Sequence, residues 1–191
     1  FAANGATLFM VTLYLQSARG LRPLDAGLVT VPMALATALS SPLSGRMVAS
    51  RGVRTPMALA GVTTVLAALP LLSLTPDTTL VVVLVALAVF GIGQGLVNAP
   101  ITNAAISGMP RAQAGVAGAL ASTSRQVGTA LGIAVVGALM ATANTSGSPA
   151  QMAASTHSGW VLVGCCGVAV AGLAFVTTSP KALASAAAIR T

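Results

Sequence analysis

The sequence predicts an all-α membrane protein with six transmembrane helices. Of its 191 residues, 55% are hydrophobic and only 6% are charged, and the mean hydropathy is +0.92. A soluble domain carries roughly 25% charged residues, and Asp25 and Asp77 are the only acids here. A soluble fold of this length could not cover its surface with so few charges. The roughly ten-residue alternating segments of a membrane β-barrel are absent.

Six apolar segments are close to the required length, because a bilayer core of about 30 Å needs about 20 helical residues. They are predicted at residues 1–16, 26–44, 57–74, 79–105, 113–141 and 159–178. The first reaches only ~24 Å at ~1.5 Å per residue, so we expect it to be cut short at its start. Loops are predicted between the segments, at 17–25, 45–56 and 142–158, with a tight turn at 75–78.

The basic residues predict the orientation, because cytoplasmic loops carry an excess of Lys and Arg. One side of the predicted topology has only Arg19 and Arg22. The other side has Arg46, Arg51, Arg54, Arg111, Lys181 and Arg190. The C-terminus is therefore expected in the cytoplasm of a multi-pass cell-membrane protein. The basic residues behind the net charge of +7 lie mostly in short loops and do not form one basic patch. No nucleic-acid partner is therefore expected.

Polar side chains recur on one face of the first segment and on one face of the fourth. At helical spacing, each set falls within a sector of roughly 80°. Polar groups are costly in segments suited to lipid, so the two faces predict one water-accessible cavity. The residues expected to line it are Asn4, Thr7, Tyr14, Gln94, Asn98 and Thr102. Hydrogen bonds between helices, worth about 0.6 to 2 kcal/mol each, are the alternative explanation.

The fifth segment combines small residues with one deep arginine. Gly118 to Ser122 and Gly128 to Gly132 are spacings that let helix backbones approach closely. Arg125 has two interpretations. In the first, its side chain extends to the membrane–water interface or forms hydrogen bonds with backbone carbonyls. In the second, it contacts a cavity or another part of the protein.

The remaining segments indicate two three-helix units. The third and sixth hold little more polar than Thr, Ser and Cys, so they are expected to face lipid, and this pattern is typical of transporter repeats.

The sequence has no Ser/His/Asp set, no Cys/His pair and no paired carboxylates. We therefore expect no enzyme, no metal site and no cofactor.

Several short motifs resemble the major facilitator superfamily, in particular its fourteen-helix drug:proton antiporter branch. Leu13-Tyr14-Leu15-Gln16 and Pro23-Leu24-Asp25-Ala26-Gly27-Leu28 look like the start of that branch's second half. Gly95-Leu96-Val97-Asn98-Ala99-Pro100, Ala114-Gly115 and Ser124-Arg125-Gln126-Val127-Gly128 are similar to its last helices. The loop signature G-xxx-D-R-x-G-x-R is matched at Gly45, Gly52 and Arg54, while Ala49 and Ser50 replace its Asp and Arg. This predicted cytoplasmic loop motif comprises Gly45, Arg46, Arg51, Gly52 and Arg54.

The resemblance implies a C-terminal six-helix domain at residues 1–178, a cytoplasmic tail at 179–191, and an N-terminal half elsewhere. The first and fourth helices would line the cavity, and the second and fifth would face the other half. The expected interdomain packing residues are Gly118, Ser122, Arg125, Gln126, Gly128 and Gly132.

The resemblance also implies proton-coupled multidrug efflux by alternating access. Substrates would be small amphipathic or cationic molecules, and the proton-coupling acids would belong to the N-terminal half. A transporter of one dedicated metabolite and a non-transporting membrane scaffold subunit are the alternatives.

Overall fold

The computed structural model describes residues 1–107, 114–143 and 148–177, and the regular structure within these ranges is helical. The helices are α1 (Ala2–Leu13), α2 (Pro23–Val29), α3 (Val31–Arg51), α4 (Arg54–Leu71), α5 (Leu80–Ser107), α6 (Ala114–Ala143), α7 (Pro149–Ser155) and α8 (His157–Thr177). A π-helical turn, Tyr14–Ala18, continues α1. The basic residues Arg111, Lys181 and Arg190 lie outside the described ranges, so the predicted orientation stays a prediction.

Five helical stretches in the described ranges are long and apolar enough to cross a membrane. They are Pro23–Arg51, Arg54–Leu71, Leu80–Asn103, Gly118–Thr142 and Pro149–Val176. They correspond to the second to sixth predicted segments. The first predicted segment is helical too, with 12 residues in α1 and 5 in the π-helical turn.

The predicted loop at 45–56 is wrong over most of its length. Helix α3 continues to Arg51 and α4 begins at Arg54, so only two residues connect them. Gly52 ends α3 with φ 75° and ψ 179°, a conformation that is essentially restricted to glycine. Gly45, Arg46 and Arg51 are therefore helical, and Gly52 permits the abrupt reversal of chain direction between α3 and α4.

The predicted loop at 142–158 is also wrong in part, because it contains the short helix α7. Ser148 is the N-cap of this helix, and its hydroxyl accepts a hydrogen bond from the Gln151 backbone N–H at 3.2 Å. Pro149 follows at the first helical position, where its missing N–H is not needed. The Ser-Pro pair is a helix-start signal that the polar composition of the segment concealed.

The predicted turn at 75–78 is confirmed by a hydrogen bond from the Thr78 N–H to the Thr75 carbonyl at 3.1 Å. Three side chains from other elements donate to carbonyls of this connection. The Tyr14 hydroxyl donates to Thr75 O at 2.7 Å, Arg19 donates to Thr78 O, and His157 Nε2 lies 3.1 Å from Leu74 O. The turn therefore ties the ends of α1, α4, α5 and α8 together.

The helices divide into two three-helix repeats, α1 to α4 and α5 to α8, whose closest contacts are with helices of the other repeat. Helix α1 packs on α6 and α8, and α5 makes the equivalent contacts with α3 and α4. The third helices of the two repeats, α4 and α8, pack on each other. This exchange of equivalent contacts confirms the predicted repeat architecture.

Glycines allow the closest helix crossings. A Cβ atom at Gly91 or Gly95 of α5 would collide with the backbone of α3, and one at Gly5 of α1 would collide with Thr129 of α6. At Gly61 of α4, an added Cβ would lie 2.6 Å from backbone atoms of α8. No hydrophobic driving force brings helices together in lipid. The close van der Waals packing that small residues allow stabilises such crossings instead.

Candidate substrate cavity

A cavity of about 530 Å³ opens where α1, α3, α5 and α6 approach one another. This volume is within the range typical of small-molecule sites, about 300 to 1,000 Å³. Its lining residues are Phe1, Asn4, Leu8, Thr30, Met33, Ala34, Thr37, Ala38, Gln94, Asn98, Arg125 and Thr129. Both three-helix repeats contribute, so the cavity lies at the repeat interface.

Three amide side chains converge on this cavity from the first helix of each repeat. Asn4 on α1, and Gln94 and Asn98 on α5, are all half-buried. The Asn98 Nδ2 donates to the Gln94 backbone carbonyl at 2.9 Å. Within the described part of the chain, the side-chain amides of Asn4 and Gln94 have no hydrogen-bond partner. Their donors and acceptors are thus available to water or to a ligand.

The hydroxyls on the cavity wall are used mostly within the protein. Thr37 Oγ1 donates to Met33 O at 2.9 Å and lies 3.0 Å from Gly91 O, so it connects α3 to α5. Thr129 Oγ1 donates to Arg125 O at 2.9 Å within α6. These threonines therefore stabilise the wall, whereas the amides offer free hydrogen-bonding groups.

Arg125 also lines the cavity, where its guanidinium carbon lies 4.7 Å from the centre of the Phe1 ring. A guanidinium over an aromatic face gains about 0.5 to 2 kcal/mol, depending on how far it is desolvated. This contact joins α6 to the start of α1.

Three of the six residues predicted for the cavity do not line it. Thr7 and Tyr14 are fully buried within the bundle, and the Tyr14 hydroxyl is bonded to Thr75. Thr102 is exposed one turn beyond Asn98, to whose carbonyl it donates at 2.9 Å. The two polar sectors predicted from helical spacing therefore contain residues that face the core as well as residues that face the cavity.

The residues predicted for interdomain packing also divide into two groups. Gly118, Ser122 and Gln126 are exposed on α6, and an added Cβ at Gly118 would meet no atom within 4 Å. By contrast, a Cβ at Gly128 would lie 3.2 Å from Phe1 Cβ, and one at Gly132 would collide with the Ala2 carbonyl. These two glycines pack α6 against α1 inside the bundle.

Thr30, Met33 and Thr37 on the α2–α3 stretch, together with Thr129, also line the cavity although sequence reasoning did not select them. Thr30 and Thr37 are seven residues apart, which places them on the same face two turns apart. That spacing was a usable signal, but threonine is too common in apolar helices to draw attention alone.

A second, more apolar cavity of about 360 Å³ lies between α1, α4, α5 and α8. Gln94 borders both cavities, while Met57, Val97 and Leu173 are among the residues specific to this one. Among the described residues, no group of three or more His, Cys, Asp or Glu side chains could hold a metal ion.

The predicted loop motif lies at the α3–α4 connection. Gly45, Arg46 and Arg51 are exposed on the last turns of α3. Arg54 begins α4, and its guanidinium carbon lies 4.7 Å from the centre of the Phe175 ring on α8.

Residues 1–133 match the family model of the Major Facilitator Superfamily. The match extends from α1 through the cavity-lining turns of α6. The chain belongs to the major facilitator superfamily. Its helical architecture and the placement of the cavity between repeats agree with this assignment.

Several relatives of this chain carry the names of drug-resistance proteins. The chain is 36% identical over 141 residues to the multidrug resistance protein Stp of Mycobacterium tuberculosis, covering 74% of this chain and 26% of Stp. It is 35% identical over 136 residues to a tetracycline resistance determinant of Streptomyces rimosus, covering 70% and 39%. It is 31% identical over 134 residues to the tetracenomycin C resistance and export protein of Streptomyces glaucescens, covering 70% and 25%. The matched region therefore spans between a quarter and two fifths of these relatives.

Proposed function

We propose that this chain is the C-terminal six-helix half of a proton-coupled multidrug exporter that works by alternating access. The observation that carries the proposal is the convergence of Asn4, Gln94 and Asn98 on one cavity between two repeats. Transporters of this architecture bind substrate near the membrane midplane, between parts that move against each other. The domain would comprise residues 1–178, followed by a cytoplasmic tail at 179–191.

The exposed face of α6 supports a second half that covers the cavity. Gly118, Ser122 and Gln126 present small or polar groups on a helix that is too apolar for water. Packing against another helical domain would bury these groups and would enclose the cavity on that side.

The two acids of this chain are not placed inside the cavity. Asp25 and Asp77 are the only acids of the chain, and neither lines the cavity. Asp25 pairs with Arg22 at 2.9 Å at an exposed site. A proton-coupling carboxylate inside the membrane would therefore have to come from the half outside this chain.

Small amphipathic molecules are the substrates that we propose, since the lining combines apolar side chains with a few amides. The resistance named for the relatives suggests that such molecules include antibiotics. Cationic compounds were also expected from the family resemblance. A dye and antibiotic panel is therefore the appropriate first assay.

The test uses the full-length protein in inside-out membrane vesicles that carry an imposed proton gradient. Ethidium, fluorescein and tetracycline are supplied, and we expect uptake of more than one of them, lost when a protonophore is added. Equal uptake after collapse of the gradient would refute proton coupling. Transport of none of the three would refute multidrug export and would favour the dedicated-transporter or scaffold alternative.

The cavity assignment is tested in the same vesicles with the double variant Gln94→Leu, Asn98→Leu. It should lose or change the substrate range because the amides that contact substrate are gone. Thr142→Leu is the control, since Thr142 is an exposed residue outside the cavity. Identical substrate ranges for wild type, the double variant and the control would refute the assignment.

A further inference from the structure

Arg125 is the only charged side chain among the described residues that line the polar cavity. Its side chain is exposed, and in the described part of the chain it forms no hydrogen bond or ion pair. The guanidinium contacts the face of the Phe1 ring instead. Among the described residues that line this cavity, the guanidinium therefore has no anion to balance it.

The contact with Phe1 is a cation–π contact, with the guanidinium carbon 4.7 Å from the ring centre. A guanidinium presents five N–H donors in a planar fork that matches the two oxygens of a carboxylate. No hydrogen bond from these N–H groups to the described residues is formed, so they stay available to a ligand. The arrangement is suited to receive an anionic group from a bound molecule.

The other lining residues add neutral hydrogen-bonding groups and apolar area. Asn4, Gln94 and Asn98 provide the amides, and Leu8 and Met33 provide apolar contact. No acid is present in this lining to attract a cation or to screen the arginine. The field on this side of the cavity is thus positive, which favours anions and disfavours cations of the same size.

We propose that Arg125 is a specificity-determining residue that binds a carboxylate group of an amphipathic substrate. This inference rests on the proposed function and narrows its substrate class. The family resemblance implies amphipathic or cationic substrates. On this face of the cavity, the proposal favours amphipathic molecules with an anionic group over cationic molecules.

The test compares fluorescein, which is anionic, with rhodamine 6G, which is cationic and has the same xanthene ring system. Binding of each dye to the purified full-length protein is measured by fluorescence anisotropy. Arg125→Gln should raise the Kd for fluorescein about 10- to 100-fold, the expected loss for a hydrogen bond to a charged group. The Kd for rhodamine 6G should stay the same or fall. Arg125→Lys, which keeps the charge but loses the fork, should be intermediate for fluorescein.

Two further variants separate charge recognition from structural damage. Gln94→Glu adds a nearly isosteric carboxylate to the cavity and leaves Arg125 in place, so it should weaken fluorescein binding and strengthen rhodamine 6G binding. Arg22→Gln removes an arginine whose side chain is 80% exposed outside the cavity, and it should change neither Kd. If Arg125→Gln does not fold, Arg125→Lys decides the question, because it keeps the charge and should still weaken fluorescein binding while leaving rhodamine 6G binding unchanged.

The inference is overturned if wild type does not bind fluorescein, if Arg125→Gln alters both Kd values alike, or if Gln94→Glu leaves the preference unchanged. Vesicle uptake of the same dyes provides an independent readout of transport. Arginine-dependent fluorescein binding without uptake would support the anion site and refute the exporter. Uptake of rhodamine 6G with no arginine-dependent binding of fluorescein would support the exporter and refute the anion site.

Discussion

Gly61 provides a quantitative test of the helix packing, because it lies where α4 and α8 cross. A Cβ atom at this position would lie 2.6 Å from Ala171 N, 2.6 Å from Gly167 O and 2.7 Å from Ala171 Cβ. Two of these three atoms belong to the backbone of α8, so no side-chain rotation can relieve the collision. Gly61→Ala therefore requires α4 and α8 to move apart. Overpacking of this kind costs about 1 to 3 kcal/mol.

Gly172 on α8 is a matched control, since an added Cβ there would meet no atom within 4 Å. Gly172→Ala should be neutral or should stabilise the helix by up to about 1 kcal/mol, because alanine loses less backbone entropy. The assay is thermal unfolding of the full-length protein in detergent, with folded protein followed by size-exclusion chromatography. Gly61→Ala should unfold at a clearly lower temperature than wild type and Gly172→Ala at the same or a higher one. Equal unfolding temperatures for the two variants would refute the close crossing.

The same unfolding assay checks three further substitutions. Tyr14→Phe should cost about 1 kcal/mol, because it removes the buried hydroxyl that donates to Thr75 O; an unchanged unfolding temperature would contradict that hydrogen bond. Gly52→Ala should cost about 1 to 3 kcal/mol, since alanine rarely adopts φ 75° and ψ 179°; no loss would mean that α3 ends differently. Ser148→Ala should cost about 1 kcal/mol through loss of the N-cap of α7, and Ser148→Asp should restore stability if capping is the reason.

The order and type of the helices could be predicted because membrane helices are specified by composition and length. Each of the six apolar segments is helical over most of its described length, and the Thr75–Thr78 turn formed as its Thr-Pro-Asp-Thr sequence predicted. Boundaries were less predictable. Polar and basic residues made 45–56 look like a loop, yet Arg46 and Arg51 extend α3 as exposed helical residues.

The candidate site could be predicted only in part, because helical periodicity does not distinguish a cavity from a core. Asn4, Gln94 and Asn98 line the predicted cavity, whereas Tyr14 on the same predicted face of α1 is buried against the Thr75 carbonyl. Thr7, in the regular part of α1, is fully buried as well. A polar residue can thus share a helical face with cavity residues and still pack inside the bundle.

The residues of α6 illustrate a second limit. Gly118 and Gly132 have the same local signature, but one is open and the other contacts the Ala2 backbone. Which helix a small residue approaches depends on the tilt of both helices, and the spacing alone does not contain that information. Arg125 was recognised as unusual from the sequence, and its place beside Phe1 became evident only from the packing of α6 on α1.

The most direct test of the account is whether α5 lines a water-filled cavity at Gln94 and Asn98. Single cysteines would replace Gln94, Asn98, the buried Ser44 and the exposed Val168 on α8 of the full-length protein, after Cys165 and Cys166 have been changed to alanine. Each variant in membrane vesicles is treated with a charged, membrane-impermeant thiol reagent, which requires a hydrated thiolate.

We predict labelling at positions 94 and 98 that a transported compound slows, and no labelling at position 44 in the core or at the exposed position 168, which we expect to face lipid. If positions 94 and 98 are as unreactive as position 44, the cavity and the transport mechanism proposed from it are both wrong.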